Sequence, residues 1–201
     1  MILIDDFLVG HTDRYTNTSE LELGTLTLTS GRLRIRDPFD PHPRPTDDCL
    51  MLIPAGTYRV WVTLASLPAI HDTTLTEIRE AYLSIELANR TPTRLTYADS
   101  LVAPPKPSYG ALTGTDSGTI AVFDDTLNTS INRDHLTTAL DTTTPLPFNY
   151  ANIPADNNHN IVVSHSGYGD GAFPILLTSD TDGPLAIHID FGVLNTGEDD
   201  E

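Results

Sequence analysis

Cysteine is almost missing from this chain: Cys49 is the only one in 201 residues. A lone thiol excludes an internal disulfide framework and a cysteine-based zinc site. Lysine is as scarce, with Lys106 beside ten arginines. Against these 11 cations stand 28 Asp and Glu residues, giving a formal charge of −17. So negative a chain repels phosphates at long range, which argues against nucleic acid as a partner. No apolar run approaches the roughly 20 residues that span a bilayer, so no membrane partner is expected. The opening "MILIDDFLVG" lacks a basic segment and reaches two aspartates at once, which makes a poor signal peptide. The expectation is a cytoplasmic protein whose acidic surface confers solubility and also suits a basic protein partner. Scarce lysine with abundant Asp and Thr fits a GC-rich genome, and a high-salt cytoplasm as a second explanation.

What the chain has in quantity is strand pattern. "LELGTLTL" alternates Leu21, Leu23, slips at Gly24, and resumes at Leu26 and Leu28, which marks a turn or β-bulge. "GTYRVWVTLA", "EAYLSIELA", "NIVVSHS", "AFPILLT" and "LAIHIDFGVL" continue the two-residue period. "SDTDGP" between the last two is a hairpin connection with Gly183 free to take positive φ. Helix signals are few. "NRDHLTTALDT" offers Asn132 as N-cap and Asp134 in the first turn, and "TLTEIREAY" could open with a helical turn. The stretches "DPFDPHPRPTDD", "VAPPKPSYG" and "TPLPFNYANIPADNNHN" read as surface loops. Residues 196–201 read as a disordered acidic tail behind a single β domain spanning 1–195.

The sequence also echoes itself. "SGRLRIRDPF" (Ser30–Phe39) and "SGTIAVFDDT" (Ser117–Thr126) share Ser-Gly, an alternating strand, and an aspartate seven positions after the serine. Each is followed by a Gly-x-aromatic strand, "AGTYRVWV" and "DGAFPILL". Two related β-units, at about 20–100 and 101–195, would account for that order.

The blocks "SGRLRIRDPF", "IPAGTYRVWVTLA", "EAYLSIEL", "DSGTIAVFDD" and "SGYGDGAFPILLTSDTDGPLAIHIDFGVL", in this order, resemble the bacterial family called domain of unknown function 4241. The resemblance runs from about Ser30 to Leu194, and it is most specific at its C-terminal end. It implies a Gly-Asp-Gly motif, here Gly169-Asp170-Gly171, and a closing Asp-Phe-x-Val, here Asp190 to Val193. It implies no reaction.

Several constellations bear on chemistry. Arg32, Arg34 and Arg36 fall on one side of a strand, with Leu33 and Ile35 opposite. They either pair with cross-strand acids or form an anion-binding site. Asp37 and Asp124 end the two echoed strands, where they either serve turns or come together as paired carboxylates. His165, Asp170, His188 and Asp190 are possible metal ligands without any zinc-hydrolase spacing, and "DTDG" fails as a calcium loop. "SHSGYGDG" is neither a nucleophile elbow nor a phosphate loop. Its glycines, Gly167, Gly169 and Gly171, are expected to serve backbone geometry, with Asp170 fixing the corner by accepting backbone hydrogen bonds.

The reading is an all-β domain, a two-sheet sandwich or a strongly curved barrel, with at most one or two short helices. No cofactor or metal is expected. The function expected is non-catalytic partner binding of the immunity or regulatory kind. The alternative is a metal-assisted hydrolase using Asp37, Asp124, Asp170 and His188.

Overall fold

The computed structural model describes residues 18–69, 71–101, 110–143, 150–155 and 158–194. The expected acidic tail and most of "VAPPKPSYG" lie outside the described residues. In chain order the strands are β1 (Thr18–Leu28), β2 (Arg32–Arg36), β3 (Cys49–Leu52), β4 (Gly56–Pro68), β5 (Thr76–Glu86) and β6 (Arg94–Tyr97). After them come β7 (Leu112–Thr115), β8 (Thr119–Asp124), the helix α1 (Arg133–Thr143), β9 (Tyr150–Pro154), β10 (Asn160–His165), β11 (Gly171–Asp180) and β12 (Gly183–Asp190). The larger sheet has the order β1-β4-β5-β12-β11-β6, with β7 also paired to β11, and the smaller has the order β3-β2-β8-β10-β9. All these pairings are antiparallel. Neither sheet closes on itself, so the fold is a two-sheet sandwich and not a barrel.

Alternation builds the core. Leu33 and Ile35 of β2, Ile120 and Val122 of β8 and Val162 of β10 meet Val60, Leu83, Ile85, Ile175, Ile187 and Ile189 of the larger sheet in one buried cluster. The other side of the smaller sheet is covered as well. Ala121, Phe123, Ile161 and Val163 pack with Leu127 and with Leu136 of α1 in a second cluster. The helix begins where its cap dictates, with the His135 backbone N–H donating to the Asn132 side chain at 3.0 Å.

Two expectations are corrected. Residues from Thr76 are strand from the outset, with no helical turn, because β5 pairs along its whole length with β4. Part of the stretch read as a loop before "NIVVSHS" is strand β9, whose Ala151 and Ile153 alternate into the second cluster. Its short apolar repeat was masked by the prolines around it.

The register reveals a twofold relation between the echoed segments. β2 and β8 pair with Arg34 opposite Phe123 and Arg36 opposite Ala121, so Ile35 and Val122 face each other at the centre. β12 and β5 pair with Ile187 opposite Ile85 and Ile189 opposite Leu83, centred on His188 and Ser84. The outer pairs follow suit. Leu28 lies opposite Gly56 in β1 and β4, and Thr115 lies opposite Gly171 in β7 and β11. Even the closing bonds match: the Ile53 N–H donates to the Gly31 carbonyl, and the Ser166 N–H to the Gly118 carbonyl.

Candidate functional site

The paired aspartates follow this symmetry. Asp124 Oδ2 accepts from the backbone N–H groups of Thr29 (2.5 Å) and Ser30 (2.8 Å), and Oδ1 accepts from Thr126 N (2.9 Å). Asp37 does the same at the opposite end of the β2/β8 pair. Its Oδ2 accepts from Asp116 N (3.2 Å) and Ser117 N (3.0 Å), and its Oδ1 from Phe39 N (2.7 Å). Each acid therefore fixes its own turn and clamps the Ser-Gly turn that starts the other strand. Gly31 and Gly118, at φ of 71° and 70°, make both turns possible. Burial would raise the Asp124 carboxyl, but bonds from Thr126 and Ser30 outweigh it and hold the group well below the usual carboxylate range.

His188 stands in the middle of the larger sheet, fully buried. Its Nδ1 meets Ser84 Oγ at 2.9 Å and its Nε2 meets Thr178 Oγ1 at 3.0 Å. Burial pushes the imidazole down to about 3, so it is neutral at ordinary pH. Asp190 accepts from the Gly192 backbone at 2.9 Å. The structure does not bring Asp37, Asp124, Asp170 and His188 together. Among the described residues no three His, Cys, Asp or Glu side chains are grouped as a metal ion would need.

The Gly-Asp-Gly corner joins β10 to β11 and is two residues longer than its twofold counterpart, Ile53–Gly56. Gly167 and Gly169 take φ of 68° and 116°, while Gly171 is extended strand. The expectation for Asp170 is corrected. Asp170 is exposed and receives no hydrogen bond among the described residues, whereas Ser166 Oγ donates to the Gly169 carbonyl at 2.5 Å. Beside this corner lies Glu80, missed from the sequence because the period of "EAYLSIEL" points it outward. A bulge reverses that: Thr63 lies opposite Tyr82 but Leu64 lies opposite Glu80. Glu80 is 2% exposed, and its Oε2 lies 3.7 Å from His165 Nδ1.

The arginine face divides. Arg32 pairs with Asp125 at 3.0 Å, and Arg34 bridges Asp125 and Asp48, at 2.5 and 2.6 Å. Arg36 is 5% exposed and has no carboxylate partner among the described residues. Its Nη1 donates to the carbonyls of Asp37 (3.2 Å) and Asp40 (2.5 Å), and its Nη2 to that of Asn128 (3.5 Å). Burial lowers its guanidinium from the usual value, although it stays a cation. It lines a groove of about 510 Å³ together with Pro38, Asp40, Asp48, Asn128 and Arg133. Three of these side chains keep a buried polar atom without a partner: Arg36 Nε, Asp48 Oδ1 and Asn128 Oδ1. Four more such atoms lie on Thr63, Glu77, Arg79 and Glu80 of β4 and β5, so buried polar atoms without a partner gather in two places among the described residues.

A family model, described as a protein of unknown function (DUF4241), matches residues 26–187. The chain belongs to this family. The match to the DUF4241 model runs from β1 into β12, so it takes in both clamping aspartates, the Gly-Asp-Gly corner and Arg36. No curated protein and no solved structure matches the chain.

Proposed function

We propose that this DUF4241 protein is a non-catalytic binding module that captures a polypeptide partner at the Arg36 groove. The observation that carries this reading is the contrast between two sets of polar groups. The aspartates and histidine suited to chemistry are dispersed, and Asp37, Asp124 and His188 are spent on turns and strand hydroxyls. At the groove, by contrast, Arg36 and Arg133 have no carboxylate partner among the described residues, although Asp40 and Asp48 line it with them. Its size falls in the range of binding clefts, and it mixes one buried cation with carboxylate and amide acceptors, as a polypeptide backbone requires. A cytoplasmic setting and an immunity-like or regulatory role belong to the same proposal. The acidic surface would speed encounter with a basic partner.

The test is panning of a random peptide display library on the wild-type chain and on Arg133→Glu, a change at an exposed groove residue. Sequences enriched on the wild type and lost on the variant support the reading. Enrichment indifferent to the variant, or none at all, overturns it.

A further inference from the structure

The Gly-Asp-Gly corner takes no part in the groove, yet it rests on a buried carboxylate. Glu80 is 2% exposed, and its Oε1 has no hydrogen-bond partner among the described residues. Its Oε2 lies 3.7 Å from His165 Nδ1, too far for a hydrogen bond but close enough for charge attraction. The His165 side chain is 27% exposed, so it exchanges protons with solvent. We propose that this histidine is a pH-sensitive latch. Its protonated form compensates Glu80 and holds the corner seated on β5, and its neutral form releases the corner.

Contacts on two sides make seating the corner and burying Glu80 one event. A Cβ added at Gly167 would stand 2.9 Å from the Glu80 carbonyl, and Arg79 Nη1 donates to the Gly167 carbonyl at 3.2 Å. On the other side, a Cβ added at Gly118 would stand 3.4 Å from His165 Nε2 and 3.3 Å from Gly169 Cα, so the imidazole and the corner crowd the same point. Lifting the corner therefore admits water to the space between His165 and Glu80.

The other groups around the pair leave the counter-charge to His165. Arg79 is raised first by its hydrogen bond from Glu77, at 2.8 Å, and least by Glu80, and its guanidinium lies over the Tyr168 ring at 5.1 Å. Tyr150 of β9 is raised by burial and then by the Glu80 charge, so it stays a neutral phenol. Leu64, opposite Glu80 in β4, and Thr119, opposite His165 in β8, carry no charge. Asp170, exposed at the corner, only adds a negative one. A neutral imidazole therefore leaves a carboxylate in the interior with little compensation, a costly arrangement that hydration relieves. Histidine changes charge between about pH 5 and 8, and the latch closes on the acid side of that range. The matching turn, closed by the Ile53 N–H, has Leu52 where this one has His165, which makes it an internal control.

The experiment is amide hydrogen exchange followed by NMR at about pH 5.5 and about pH 8, on either side of the ordinary histidine value. Each rate is divided by its intrinsic value at that pH, so that only protection is compared. The Ser166 and Gly169 amides, which donate to the carbonyls of Gly118 and Ser166, should be at least about fivefold better protected at the lower pH. The Ile53 amide should show no such gain. His165→Gln removes the cation and should keep the corner at its low protection at both pH values. Glu80→Gln removes the need for a cation and should keep it at the high protection at both. Equal protection of the wild-type corner at the two pH values overturns the latch. So does a Glu80→Gln chain that loses protection as His165→Gln does. A gain that Ile53 shares in equal measure reports the stability of the whole domain and overturns it as well.

Discussion

Replacing Asp124 by asparagine removes one oxygen and one charge at almost constant volume, which makes it a sharp test of the clamp. The wild-type carboxylate takes backbone N–H bonds from Thr29, Ser30 and Thr126, plus hydroxyl bonds from Thr126 (2.7 Å) and Thr29 (3.3 Å). With asparagine, Oδ1 still serves Thr126, but an NH₂ group faces the Thr29 and Ser30 donors. Two charge-assisted bonds are lost and donors confront donors, which should cost about 2–3 kcal/mol. Alanine leaves all three N–H groups stranded and should cost about 3–5 kcal/mol, a large part of a normal domain stability of about 5–15 kcal/mol. Urea unfolding at pH 7 measures both, read as a lower midpoint at unchanged slope. The folded-state carboxyl is depressed, so its stabilisation is complete above the unfolded value near about 4 and is lost as pH falls toward the folded one. The gap between wild type and Asp124→Asn should therefore narrow below about pH 4. Asp37→Asn should behave independently. It lies four positions along β2 from Leu33, the residue opposite Asp124, which is about 13 Å at 3.3 Å per residue. The double variant should thus be additive to within about 0.5 kcal/mol. An Asp124→Asn protein as stable as wild type, or a gap unchanged from pH 7 to 2, would refute the clamp.

Three further outcomes follow from the geometry. At the corner, Gly167→Ala should be costlier than Gly169→Ala, and Gly171→Ala mildest, measured by thermal unfolding. An added Cβ at Gly167 would meet Val193 Cγ2 at 2.4 Å and the Glu80 carbonyl at 2.9 Å, whereas at Gly169 it meets nothing within 4 Å and pays only for positive φ, about 1 kcal/mol or somewhat more. His188, neutral when folded, withholds a proton that the unfolded chain accepts, so stability should fall as pH drops from about 6.5 toward 3, and His188→Gln should flatten that limb of the urea-midpoint profile. An unchanged profile would contradict it. Cys49 is buried, and burial pushes its thiol up to about 12, so a thiol reagent should label it only upon denaturation. Fast labelling of the native protein would show that β3 opens readily.

The fold was largely legible because β periodicity is a local property, repeated strand after strand. The matching register of the two echoed segments was legible in outline from Ser-Gly and Asp at matched offsets. What those aspartates do was not, since the sequence cannot show that Asp37 reaches across to Ser117 and Asp124 to Ser30. Arg32, Arg34 and Arg36 look equivalent on paper. The partners that separate them, Asp48 and Asp125, lie 14 and 91 residues from Arg34, so only the fold reveals that Arg36 is left without one among the described residues. Glu80 escaped because one bulged residue, Ala81, reverses the face it occupies. Asp170 misled because an acid between two glycines suggests a turn-fixing role that Ser166 fills.

The twofold pairing also governs how the chain must come together. The centre of each sheet is a seam between the two halves of the chain, Ile35 against Val122 and Ser84 against His188, the latter 104 residues apart. Hairpins such as β4/β5 and β11/β12 are therefore expected to form before the two seams close. The same seams would accept the complementary half of another molecule. Refolding at high concentration should therefore yield some chain-exchanged dimer, read as a concentration-dependent dimer fraction in size-exclusion chromatography.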